Sequence, residues 1–177
     1  MKNDLTYVEL NKQLSDPNNP LFGGSLAYIE IELSLRMMIK LLRIKKKKPS
    51  IQTKSYEKMI LICNVIAEQA NEMITKDGEI FASLRSAKAG EERNKIIDDV
   101  FPKSTAFLEN LNTINMFLEE MIVTTTSSIR YDYIMISSTL NSCYKNLIHI
   151  LEYEVNKHSD DNTKQSYLDK IEKLAKR

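Results

Sequence analysis

The run Asn18-Asn19-Pro20-Leu21-Phe22-Gly23-Gly24-Ser25 is the part of this chain best suited to holding a ligand. Two adjacent glycines permit close backbone approach and positive φ. Ser25 then starts a helix, whose first-turn N–H groups lack partners within the helix and form a natural seat for an anion. Spacing alone leaves a second reading open, in which Gly-Gly-Ser is a plain helix-capping turn. Four consecutive lysines, Lys45 to Lys48, make the one strong charge run. They suit a solvated helix end, where cations complement the last carbonyls, or the capture of an anionic ligand tail. Glu30 and Glu32 interrupt an otherwise apolar helix. A carboxylate there could do acid–base work, but Arg36 stands at i+4 from Glu32, the spacing of an ordinary ion pair. His149 and His158 are nine positions apart and do not make a ligand pair on one helix face, so no metal is expected. His149 reads as an interface or core-edge residue and His158 as a solvated loop residue.

These groups need elements to position them, and the composition narrows the choice. Among 177 residues there are four Gly and four Pro, too few for a turn-rich sandwich or barrel. The balance of 25 basic against 24 acidic side chains argues against a general polyanion binder, and no nucleic-acid partner is expected. Cys63 and Cys143 are no disulfide framework and suit a reducing cytosol. The opening MKNDLTYVEL has no basic n-region followed by an apolar stretch, which predicts no secretory signal. The most apolar stretch, Leu26 to Ile44, is broken by charges, among them Glu30, Glu32, Arg36 and Lys40, and predicts no membrane span.

Apolar residues recur at three and four between the breakers. Leu5, Val8 and Leu14 predict a short first helix ending near Asp16. Ser25 to about Ile44 predicts a helix apolar over more than one face, hence a central one. A third helix follows Pro49, with a break or kink at Asp77-Gly78. Glu91 to Val100 reads as a shorter helix ended by Phe101-Pro102, and a long one follows from Phe107 to Ile122. Thr124 to Ser128 interrupts it, and the pattern resumes to about Val155. HSDDNT predicts a loop with a capping residue before a last helix carrying Tyr167, Leu168, Ile171 and Leu174 inward. The expectation is an all-α, single-domain bundle over residues 1–177, with five to seven helices and long central ones.

The sequence order is a short amphipathic helix, a Pro-and-Gly turn ending in Gly23-Gly24-Ser25, a long helix and a Lys-rich stretch. This order resembles the cyclodeaminase/cyclohydrolase family, which includes the cyclodeaminase domain of formiminotransferase-cyclodeaminase and bacterial methenyltetrahydrofolate cyclohydrolases. Asp77-Gly78-Glu79-Ile80-Phe81 resembles that family's acidic turn followed by Ala-Phe. Phe101-Pro102 falls where the family has Val-Pro, and SSIRYDYIMISSTLNSCYKNLIHIL (Ser127 to Leu151) resembles its Ser-Asp segment and downstream helix. The resemblance spans nearly the whole chain. It implies an all-helical homodimer with a folate cleft near the subunit interface, and the cysteine usage places the expectation in the cytoplasm. It implies no metal or separate cofactor, only a tetrahydrofolate derivative as substrate or ligand. The activity implied is ring closure of formiminotetrahydrofolate with release of ammonia, or hydrolysis of the methenyl form.

Carried over residue by residue, the resemblance puts substrate binding on Phe22, Gly23, Gly24, Ser25 and Asn146, with Lys46 and Lys48 drawing the glutamate tail. It puts catalysis at Ser128, which stands where the family has aspartate, and at Asp132 one turn on. The departures are specific. Phe22 replaces one glycine of the family's turn, Ser142 replaces a glycine, and Ser128 cannot ionise near neutral pH. Losing an acid–base group typically costs about 10²–10⁴-fold in rate. Two expectations follow: an enzyme of one-carbon folate metabolism with degenerate motifs, or a catalytically inactive helical dimer that binds a ligand or a protein.

Overall fold

The computed structural model describes residues 9, 12–13, 15–16, 19, 21, 23–47, 53–88 and 90–176. The short first helix expected up to Asp16 falls largely outside these residues, as do Phe22 and Lys48. The described residues form five helices: α1 (Gly23–Lys46), α2 (Thr53–Ser86), α3 (Glu91–Thr124), α4 (Ile129–Val155) and α5 (Asp161–Ala175). The all-α bundle read from the periodicity is what the chain adopts.

α1 is central for the reason its pattern gives. Its buried positions Ala27, Tyr28, Ile31, Leu35, Met38 and Leu42 spread over more than one face. It accordingly packs on both α2 and α4, while α3 packs against α2 and α4 to close the ring. Successive helices run antiparallel through short connections, an up-down-up-down bundle, and α5 rests on α3 and α4. Two contacts set α1 antiparallel to α4: Cys143 Sγ donates to Glu30 Oε2 at 3.2 Å, and Lys45 Nζ to Thr125 Oγ1 at 2.7 Å. Burial, helped by Glu30, pushes the Cys143 thiol up to about 12 and keeps it a donor. The core centres on Leu35, Leu111, Ile114, Leu118, Tyr133 and Leu140, all fully buried. Truncating one such leucine to alanine costs about 2–5 kcal/mol.

Two expected breaks are absent. α2 runs unbroken through Gly78, and α3 runs through Pro102. Glycine costs about 1 kcal/mol inside a helix and proline about 3 kcal/mol. Burial on both sides outweighs this: Ile74 and Leu84 flank Gly78, and Ile97, Phe101, Thr105 and Leu108 flank Pro102. The other punctuation is where the sequence places it. α3 stops at Thr124, Thr125 is extended, and its N–H bonds the Met121 carbonyl. Asp160 caps α5 by accepting from the Thr163 N–H at 2.9 Å.

Of the readings given to the histidines, core edge for His149 and solvated loop for His158 do not hold. His149 is an exposed residue of α4, 3.8 Å from Glu152. His158 is the buried one, 3% exposed, in the turn between α4 and α5. The Asp160 N–H donates to its Nδ1 at 3.1 Å, and its Nε2 lies 3.2 Å from Asp98 Oδ1. Tyr167 donates to the same carboxylate and stacks on Phe101, so the loop is pinned to α3 from two sides. No described helix is long and apolar enough to cross a membrane.

Candidate functional site

The glycine turn does lead into an anion seat, and the anion is part of the chain. Gly24 and Ser25 are buried in the first turn of α1. Asp77, from the middle of α2, places its carboxylate there. Ser25 Oγ donates to Asp77 Oδ2 at 3.2 Å, and the Ser25 backbone amide, close to the same carboxylate, also favours its charged form. A side chain 52 residues away thus fills the role of a local capping residue.

This explains one of the two glycines. A Cβ on Gly24 would lie 2.3 Å from Asp77 Oδ1, whereas one on Gly23 would meet nothing. Close approach is therefore what Gly24 provides. The expected positive φ is found at neither, Gly90 being the one described residue that has it. Desolvation raises the Asp77 carboxyl above the usual range, and the bonds from Ser25 oppose that rise. Burial, and then the charge of Asp77, pushes the Tyr28 phenol far up.

Helix lengths make a cleft at this point. α2 continues nine residues past Asp77, about 13 Å, beyond the start of α1. Between it and α3 lies a cavity of about 410 Å³, floored by Gly24 and Tyr28 and walled by Met73, Ile80, Phe81, Val100 and Leu108. Its lining is apolar apart from a few groups. Asp77 and Glu154 supply carboxylates, Ser104 a hydroxyl, and exposed His149 stands at the edge. Glu154 Oε1 meets Lys157 at 2.9 Å, while its buried Oε2 has no hydrogen-bond partner. A second cavity of about 640 Å³ shares Tyr28, Met73, Ile80, Val100 and Ser104 and opens past Lys76 and Lys103. Each lysine is held by an acid one turn earlier on its own helix, Glu72 and Asp99. The two cavities adjoin across these shared residues, the first apolar inside and the second bordered by charged side chains. Such an arrangement accepts a largely apolar molecule whose N–H donors meet Asp77 and Glu154.

Of the residues expected in the site, the structure brings Gly23, Gly24 and Ser25 to this cleft. Asn146 is an exposed residue of α4, one turn before the cleft-lining Ile150. Lys46 lies at the far end of α1, about 30 Å away, with its Nζ 2.5 Å from Glu57 Oε1. Ser128 and Asp132, at the start of α4, are at that far end too, beside the Lys45–Thr125 contact. Within one subunit they do not converge on the glycine turn. Lys76, Asp77, Lys103 and Glu154 were missed as candidates. In the sequence Asp77 is legible only as part of an acidic turn, since nothing local shows it reaching Ser25. Among the described residues no cluster of three or more His, Cys, Asp or Glu could hold a metal ion.

No protein-family model matches the chain, and neither a curated protein nor a solved structure matches it at a significant level.

Proposed function

We propose that the chain is a ligand-binding helical protein whose cleft takes a flat, largely apolar heterocycle presenting N–H donors. A tetrahydrofolate derivative is the candidate ligand, and the protein works as a homodimer. The observation that carries this reading is Asp77. It is a carboxylate held on a helix N-terminus inside an otherwise apolar cleft, beside a second carboxylate with an open acceptor. A pterin ring supplies N–H donors on one edge and an apolar face for Tyr28 and Phe81. A glutamate tail would then run past Lys76 and Lys103 at the mouth, in place of the distant Lys46. The test is calorimetric titration with tetrahydrofolate. Binding by the wild type, lost in Asp77→Ala and unchanged in Ser128→Ala, is the expected result; no binding by the wild type refutes the reading.

One observation favours a catalytic version. A carboxyl whose pKa is raised by burial can exchange a proton with a bound heterocycle nearer neutrality than an ordinary aspartate. In this version the chain is a cyclohydrolase or cyclodeaminase in which Asp77 does the work of the family's missing aspartate. The loss of methenyltetrahydrofolate absorbance, followed against buffer, separates the versions: acceleration that Asp77→Asn abolishes supports catalysis. Sedimentation tests the dimer, and a monomer at micromolar concentration counts against it.

A further inference from the structure

The overall charge conceals a strongly divided chain. Residues 33 to 56 contain eight basic side chains and no acidic one, so the rest carries 17 basic against 24 acidic. α1 arranges much of this excess on one solvent-facing stripe. Leu33, Arg36, Lys40, Arg43 and Lys47 follow at spacings of three and four, which places them in a row along the helix. Arg36 is committed: it meets Glu32 at 3.4 Å and Glu68 at 2.6 Å. Lys40, Arg43 and Lys47 have no acidic partner among the described residues, and with Ile39, Ile44 and Asn64 of α2 they line a groove of about 430 Å³.

The groove's own aliphatic lining is Ile39 and Ile44, and α1 and α2 carry further exposed aliphatic side chains beside it. Leu61 and Val65 stand one turn before and one position after Asn64 and are 66% and 50% exposed, while Leu33 on α1 is 64% exposed. Scattered exposed leucines need no explanation; aliphatic side chains lining the same helix pair as uncommitted cations do. A nucleic-acid backbone has no use for these aliphatic side chains. An anionic bilayer would meet Glu57 and Glu68, each about half exposed on the same face. A second copy in a two-fold arrangement through this face would bring like-charged rows together.

We propose that the α1–α2 face docks an amphipathic helix of a partner protein. That helix would lay aliphatic residues along Leu33, Leu61 and Val65 and acidic ones along Lys40, Arg43 and Lys47. Helix-in-groove recognition reads anchors at such spacings, and flanking charges choose the partner. The row from Leu33 to Lys47 spans about 21 Å, so the partner helix needs at least four turns.

The probe is a designed three-heptad peptide with leucine at a and d and glutamate at e and g, followed by fluorescence anisotropy with the full chain. A surface ion pair is worth up to about fivefold in an equilibrium constant. The triple variant Lys40→Gln, Arg43→Gln, Lys47→Gln should therefore bind on the order of tenfold to a hundredfold more weakly. Leu61→Ser with Val65→Ser should weaken binding too, and salt should weaken the wild type. A matching peptide with lysine in place of glutamate should not bind, a control that does not depend on any variant folding. Phosphatidylserine-containing vesicles and a short RNA duplex are the competing probes. Tighter binding of either, insensitive to the Leu61 and Val65 changes, would overturn the proposal. So would acidic-peptide binding that the triple variant leaves intact.

Discussion

Replacing Gly24 with alanine tests whether Asp77 is docked on the start of α1. The new Cβ would lie 2.3 Å from Oδ1 and 2.6 Å from Oδ2, where van der Waals contact needs about 3.4 Å. The carboxylate must withdraw by about 1 Å. The Ser25 Oγ–Asp77 bond is already 3.2 Å long, and that retreat takes it out of hydrogen-bonding range. Removing a cap costs about 0.5–2 kcal/mol, while alanine returns up to about 1 kcal/mol of helix propensity. Gly23→Ala has the gain without the loss, since nothing lies within reach of its Cβ. The propensity gain is common to both, so the two variants should differ by the cap loss, about 0.5–2 kcal/mol, or about 1–8 °C in Tm for a chain of this size. Urea and thermal melts followed by circular dichroism measure the gap. In an Asp77→Ala background Gly24→Ala should turn neutral or stabilising, because the obstacle is gone. Equal Tm values for Gly23→Ala and Gly24→Ala, or no coupling with Asp77, would refute the docking of Asp77.

Asp77 also predicts a pH dependence. Its folded pKa is raised, so between the unfolded value and the folded one the native state binds more protons, and stability falls as pH rises through that window. Asp77→Asn should flatten this slope in urea melts at acid pH; an unchanged slope counts against the burial of the charge. Ser128→Asp adds an anion at the start of α4, where Ser128 makes no capping bond, and should stabilise by about 0.3–1 kcal/mol. It should leave tetrahydrofolate affinity as it was, and a large gain in affinity would bring Ser128 back into the site. Pro102→Ala restores one helical N–H in α3 and should raise stability by on the order of 1 kcal/mol. A loss in thermal melts would show that the helix depends on the proline. His158→Ala should cost about 1–3 kcal/mol, since it strips a buried acceptor from the Asp160 N–H and a contact from Asp98.

The bundle was legible because burial repeats at three and four over long stretches, and the stops at Thr125 and Asp160 are chemical signals the backbone obeys. Gly78 and Pro102 misled for a physical reason. Local propensity penalises them by a few kcal/mol, but a helix buried on both sides of such a residue recovers more than that. The glycine turn was half legible. Its suitability for a close-approaching anion follows from residue type, but the donor of that anion, 52 positions on, does not. His158 failed for a similar reason: a polar loop gave no sign of Asp98 and Tyr167 waiting on other helices. Ser128 and Asp132 were grouped with the turn by resemblance, and antiparallel packing sends them to the opposite end of the bundle.

The cap that comes from another helix ties two events in time. The Ser25 amide, in the first turn of α1, has no partner that α1 can supply, so its protection from hydrogen exchange should appear when Asp77 of α2 arrives. An excursion that swings Asp77 away would release the start of α1 and unmake the floor of the cleft in the same step, because Gly24 and Tyr28 are both. Exchange rates at Ser25 and at the cleft residues of α1 should then rise and fall together. A ligand that touches only the cleft should slow exchange in a helical turn whose amides it never contacts.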